Sequence, residues 1–174
     1  MTQELLKTLA KTAYTENEFR RLLSALQVFL ESKLFSEHPG LSFEELLRRF
    51  FLEHHVAEDT RTRLTSLSES FLSSFTQKNL YEKLKSIKEA FEKLPRITLY
   101  VPIALTSEAT VKLGTWLRQH VMENLVIRLK IDAELSVGCA FVWEGVYHDY
   151  SFRYFVKKHE KELESTIREY VENI

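Results

Sequence analysis

The chain has 174 residues, 44% of them hydrophobic and 28% charged, with a formal net charge of −1. That balance lies in the globular range and excludes wholesale disorder, and it provides no overall basic field to hold nucleic acid or an anionic membrane. No run approaches the roughly 20 apolar residues of a membrane span, and the single cysteine, Cys139, excludes a disulfide framework within the chain.

In chain order, Leu5, Leu6, Leu9, Ala10 and Ala13 form a short stripe at helical spacing. Glu4 sits among these leucines and no small-residue cleavage site follows, so the segment does not read as a signal peptide. The expectation is a soluble protein of a reducing compartment. A second helix carries Phe19, Leu22, Leu26, Phe29, Leu30 and Leu34 and is expected to stop at His38-Pro39-Gly40. Ser42-Phe43-Glu44-Glu45 has the spacing of a capping box and opens a third helix with Leu46, Leu47, Phe50 and Phe51. Glu58-Asp59-Thr60 reads as a polar break before a fourth helix carrying Leu64, Leu67, Phe71, Leu72 and Phe75. A fifth carries Leu80, Leu84, Ile87, Phe91 and Leu94. Short amphipathic helices of this kind are not stable alone in water, so the spacing predicts a bundle, which Pro95 closes.

Beyond Pro95 the period changes. Ile97 to Leu105 reads as a strand, and Pro102 inside it points to an edge position or a bulge. Thr106-Ser107-Glu108 caps a helix bearing Ala109, Leu113, Trp116, Leu117 and Val121. Then Ile127, Leu129 and Ile131 alternate with Arg128 and Lys130, the period of a half-buried strand. A strand, a helix and a strand make a crossover, so the two strands should pair in parallel and right-handed. Val137 to Trp143 and Val146 to Tyr150 read as two more strands joined by a tight Glu144-Gly145 turn. A last helix from Phe152 carries Phe155, Val156, Leu163, Ile167, Tyr170 and Val171. The fold class is therefore α+β: an N-terminal helical bundle over 1–94 and a small mixed α/β domain with a final helix over 95–174.

The string KIDAELSVGCAFVWEGVYHDYSFR carries a family resemblance. Lys130, Asp132, Leu135, Gly138, Gly145, Asp149, Ser151 and Arg153 fall on the positions of a lysine-x-aspartate, a Leu-x-x-Gly-Gly step, a short turn, an aspartate, and a Ser-x-Arg that opens the last helix. In this the chain resembles the delta subunit of F-type ATP synthase, related to the mitochondrial oligomycin-sensitivity-conferring subunit. Cys139 stands where the second glycine is usual, and Tyr150 where a small residue is common. The resemblance covers the last half of the chain. It implies a non-catalytic stator with no cofactor, peripheral at the cytoplasmic face of the cell membrane and without direct membrane insertion. It also implies a bundle that grips the N-terminal helices of the alpha subunit and a C-terminal domain that meets b-type stalk subunits. Helices one and four, through Leu5, Leu6, Leu9 and Leu64, Leu67, Phe71, are the candidates to flank the bundle groove, the residues being chosen from apolar spacing alone. Gly138, Gly145, Asp149 and Ser151 are read as structural. An E-like stalk subunit of a vacuolar or archaeal rotary ATPase and an unrelated helical adaptor are the alternatives.

No catalytic set emerges. His54 and Glu58 are four apart, and His55 and Asp59 lie beside them, but neither an H-E-x-x-H motif nor a cysteine pair supports a metal site. His148, Asp149 and Ser151 contain the letters of a hydrolase triad. Alternation along a strand sends His148 and Asp149 to opposite faces, and no G-x-S-x-G elbow is present. The sequence lacks both glycine-rich phosphate motifs. Cys139 is expected to be a small buried hydrophobe, and the charges from Lys157 to Arg168 a solvated helix face.

Overall fold

In the computed structural model, which describes residues 2–35 and 41–172 and the side chains of residues 6–35 and 41–171, the first apolar stripes become helices α1 (Thr2–Thr12), α2 (Glu16–Phe35) and α3 (Phe43–Glu53). His38-Pro39-Gly40, the expected stop after α2, lies outside the described residues. At the start of α3 the capping box forms in both directions. Glu45 N donates to Ser42 Oγ at 3.3 Å, and Ser42 N donates to Glu45 Oε2 at 2.8 Å. Two helix-end donors are thereby satisfied. Hydrogen bonds from the Ser42 hydroxyl and amide hold the Glu45 carboxyl below its ordinary value.

The fourth predicted helix is two helices, and its apparent leading break is not a break. Glu58-Asp59-Thr60 forms the first turn of α4 (Glu58–Thr65), where acidic side chains suit the positive end of the helix dipole. The interruption falls at Ser66–Ser68 instead, and Ser68 Oγ accepts from Phe71 N at 3.2 Å to start α5 (Glu69–Ser73). Serine side chains that bond nearby backbone compete with helix continuation. Helix α6 (Leu80–Glu92) completes the bundle. Its core contains Leu22, Leu26, Leu30, Leu64, Leu80 and Ile87, each almost fully buried, and Phe19 stacks on Phe91 with ring centroids 3.7 Å apart.

Strand β1 (Arg96–Val101) ends one residue before Pro102. It is an inner strand, so the expected edge position is corrected: the proline, which has no N–H to donate, follows the strand and does not lie within it. Thr106 Oγ1 accepts from Ala109 N at 3.2 Å and caps α7 (Ser107–His120), which leads to β2 (Val126–Ile131). After a 3₁₀ turn at Ala133–Leu135 come β3 (Gly138–Trp143) and β4 (Val146–Ser151). The strand order is β2-β1-β3-β4, with β1 and β2 parallel as the crossover required and the other pairs antiparallel. Glu144 and Gly145 have φ of 50° and 80°, the two positive values that a tight two-residue hairpin turn demands. The last predicted helix is also divided, at His159, into α8 (Phe152–Lys158) and α9 (Glu160–Glu172).

Two hydrophobic clusters lie on either side of the 94/95 boundary, and β2 joins them. Alternation along this strand turns Val126 into the bundle core and Ile127 toward α7, where it meets Ile97, Leu99 and Leu117.

Candidate docking surfaces

His54, Glu58, His148, Asp149 and Ser151 each have a structural occupation. His54 is the C-cap of α3, its ring 4.7 Å from that of Phe50, whereas Glu58 opens α4. The two do not share a helix face as their spacing suggested, because α3 has ended at Glu53. Among the described residues no group of three or more His, Cys, Asp or Glu side chains is placed to hold a metal ion. His148 stacks on Phe141 at 4.8 Å. Asp149 Oδ1 accepts from Ser151 N at 2.8 Å, and Ser151 Oγ accepts from Tyr154 N at 3.1 Å, which caps α8. The Ser151 hydroxyl first, then its amide, hold the Asp149 carboxyl below its ordinary value. Cys139 is half-buried against the α7-side core. No described helix is long and apolar enough to cross a membrane.

Gly138 adopts φ +96°, and a Cβ placed there would lie 2.4 Å from Tyr150 O and 2.9 Å from Ser151 Cα. The backbone of β4 approaches so closely that only glycine fits. Gly145 needs glycine for its φ of +80° alone, since open space surrounds it.

The proposed groove residues lie inside the protein. Leu6, Leu9, Leu64, Leu67 and Phe71 are 0–7% exposed and belong to the bundle core; the side chain of Leu5 lies outside the described residues. Apolar spacing identifies a helix's inward face but does not say whether the neighbour is this chain or another. An open cleft of about 340 Å³ lies between α3 and α4, with Leu47, Phe51 and Leu52 as its apolar lining and Arg48 and Arg61 among its polar residues. Arg61 is held over the Phe51 ring at 5.8 Å and donates from Nε to Val56 O at 2.6 Å.

A second surface is the C-terminal pair of helices. On α8, Phe152 and Phe155 are 58% and 54% exposed. On α9, Ile167, Tyr170 and Val171 are each more than 60% exposed, and no described residue of that helix is buried. Their spacing is that of a core-facing stripe, yet the described residues leave them exposed.

The seam between bundle and sheet was not legible from motifs. Tyr14 and Thr15, in the link between α1 and α2, lie alongside β2: Ile127 N donates to Tyr14 O at 3.0 Å, and Thr15 bridges Ile127 in parallel. Arg118 of α7 donates to Ala10 O at 2.7 Å, Ala13 O at 2.6 Å and Leu125 O at 3.1 Å, with its guanidinium 4.5 Å from the Tyr14 ring centre. Ala10 lies in the last turn of α1 and Ala13 just past its end, where a cation suits the negative pole of the helix. Thr115 Oγ1 donates to Tyr14 Oη at 3.0 Å, and Gly114 makes room, since a Cβ there would come 2.3 Å from the Tyr14 ring. Arg128 Nε donates to Glu16 Oε2 at 2.7 Å. That bond, ahead of the one from Arg20, keeps the Glu16 carboxyl below its ordinary value. One signal was available in the sequence: Thr15-x-x-Glu18 is itself a capping box, with Glu18 Oε2 accepting from Thr15 N at 2.9 Å.

Against known proteins, no family model and no curated protein matches the chain.

Proposed function

We propose that this chain is a non-catalytic stator subunit of a rotary ATP synthase, similar to the F-type delta subunit. It would tie the catalytic head to a b-type peripheral stalk at the cytoplasmic face of the cell membrane. The observation that carries this reading is the pair of uncovered apolar surfaces, the α3–α4 cleft and the α8–α9 stripe, on a body whose two halves are interlocked along β2. A stator makes and breaks no bond; it needs two docking surfaces and a stiff connection between them. The positions that carry the family resemblance also have physical roles consistent with it: Gly138 admits the β4 backbone, and Asp149 with Ser151 starts α8. The E-like alternative carries one long charged helix ahead of its C-terminal domain. Here the described residues ahead of β1 form shorter helices around a shared core, which favours the delta-like reading.

The test is a titration of the full chain with a peptide from the start of the same organism's alpha subunit. Binding as an amphipathic helix is expected. Leu52→Asp, at a cleft residue that is 66% exposed, should weaken it without lowering the melting temperature. Absence of binding at high micromolar peptide would remove the main support for the head-gripping role.

A further inference from the structure

We infer that the free edge of β4 takes up an extended peptide segment with an acidic side chain, added to the four-stranded sheet in the groove between β4 and α8. This strand-docking site lies beside the helix-docking surfaces described above and does not rest on the stator reading.

β4 is the last strand in the order β2-β1-β3-β4. Phe152 N donates to Val137 O at 2.9 Å, which fixes the phase of the β3–β4 ladder. Counting back by twos, Tyr150, His148 and Val146 turn their backbone N–H and C=O toward β3, and Asp149 and Tyr147 turn theirs outward. Among the described residues no backbone or side chain bonds these outward N–H and C=O groups. The free row ends at Ser151, whose N–H is taken by Asp149 Oδ1 at 2.8 Å. β4 contains neither lysine nor proline, the residues with which edge strands commonly turn away another strand. On β2, the opposite edge, Ile127 N already donates to Tyr14 O, and Lys130 is exposed.

A cavity of about 460 Å³ is lined by Tyr147, His148, Asp149 and Tyr150 together with Tyr154 and Lys158. Successive side chains of a strand point to opposite faces, so a cavity that touches four in a row runs along the edge and not over one face. Tyr154 and Lys158 are four apart on α8 and form the facing wall. An adjoining cleft of about 230 Å³ shares this wall and carries the groove on to His159.

These groups define the occupant. Outward N–H and C=O groups two residues apart are matched by another extended backbone. A helix satisfies its own backbone internally, and lipid tails would leave the edge unsatisfied. Lys158 selects the charge. Its ammonium has no ion pair among the described residues, whereas the Asp149 carboxylate is turned to Ser151 N. A carboxylate on the incoming strand completes the groove.

The experiment screens the full chain against displayed random linear peptides about ten residues long, and the enriched peptide is synthesised. Acidic residues should be enriched. N-methylation of alternate amides should abolish binding in one phase and change it less than about threefold in the other, since only every second residue of an added strand bonds the edge. A helical peptide would lose binding in both phases. Hydrogen exchange should show the Tyr147 and Asp149 amides gaining protection in the complex, with His148 and Tyr150 protected already in the free chain. Lys158→Glu should weaken binding about tenfold or more at low salt. Tyr147→Pro removes one outward N–H at a position where an edge strand tolerates proline, and it should abolish binding. Both residues are exposed, and circular dichroism checks that each variant is folded; if the proline variant is not, Lys158→Glu and the two methylation phases decide. No enriched peptide, enrichment without acidic residues, equal effects of the two methylation phases, or protection that bypasses Tyr147 and Asp149 would overturn the inference. So would a dimer in sedimentation that Tyr147→Pro abolishes, which would assign the edge to a second copy of this chain.

Discussion

A single methyl group at Gly138 is expected to destabilise this protein more than the same methyl at Gly145, although both glycines have positive φ. At Gly138 the added Cβ meets Tyr150 O at 2.4 Å and Ser151 Cα at 2.9 Å, both backbone atoms of the neighbouring strand. Holding an L-residue at φ +96° costs about 1–3 kcal/mol. Forcing two paired strands apart adds an overpacking cost of about 1–3 kcal/mol. The sum for Gly138→Ala is about 4 kcal/mol, which for a chain of this size corresponds to a fall in Tm of about 8–16 °C. Gly145→Ala adds no contact within 4 Å and so carries only the left-handed cost, about 1–2 kcal/mol. Thermal unfolding followed by circular dichroism, with denaturant titration as a second measure, compares the two variants directly. Equal losses at the two positions would refute the argument that the β4 backbone makes Gly138 obligatory.

Arg118→Met keeps the stem and removes three bonds to carbonyl oxygens, at a cost of about 3 kcal/mol; hydrogen exchange should show the Ile127 amide losing protection together with the end of α1. Stability from the Glu16–Arg128 pair should be fully present above the ordinary glutamate value of 4.5 and be lost as pH falls through the lower folded value, because the folded carboxyl holds its proton less tightly than the unfolded one. In denaturant titrations across that range, Glu16→Gln should flatten this part of the acid loss, and an unchanged profile would show that the pair contributes nothing. Leu9→Asp and Leu64→Asp place a carboxylate at positions of zero exposure and should each cost about 4 kcal/mol or more, so reduced partner binding by either would report unfolding and not a groove.

Features set by short-range chemistry could be read directly from the sequence. The Ser42–Glu45 box, the Glu144-Gly145 turn and the Asp149–Ser151 cap depend on residues a few positions apart, and the structure contains each of them; the alternation along β2 buries Ile127 and half-buries Leu129, whereas Ile131 at the strand end is 66% exposed. The helix divisions at Ser66–Ser68 and His159 were missed because apolar spacing runs on through both. The buried state of Leu9 and Leu64 was likewise not decided by spacing, since an inward face and a partner-facing face look alike in one dimension. The seam was the least legible part. Arg118 reads as an ordinary basic residue in the last turn of α7, and only the folded chain brings Ala10 and Ala13, more than a hundred positions away, to its guanidinium.

The most direct test of the stator proposal is whether this chain bridges head and stalk. The same organism's catalytic head, the soluble part of its b-type stalk subunit and this chain would be mixed and followed by size-exclusion chromatography with mass detection. A complex containing all three is expected, with head and stalk failing to co-elute when the chain is omitted and when Ile167→Asp replaces it. Head and stalk associating equally well without the chain, or the chain eluting free of both, would contradict the proposal.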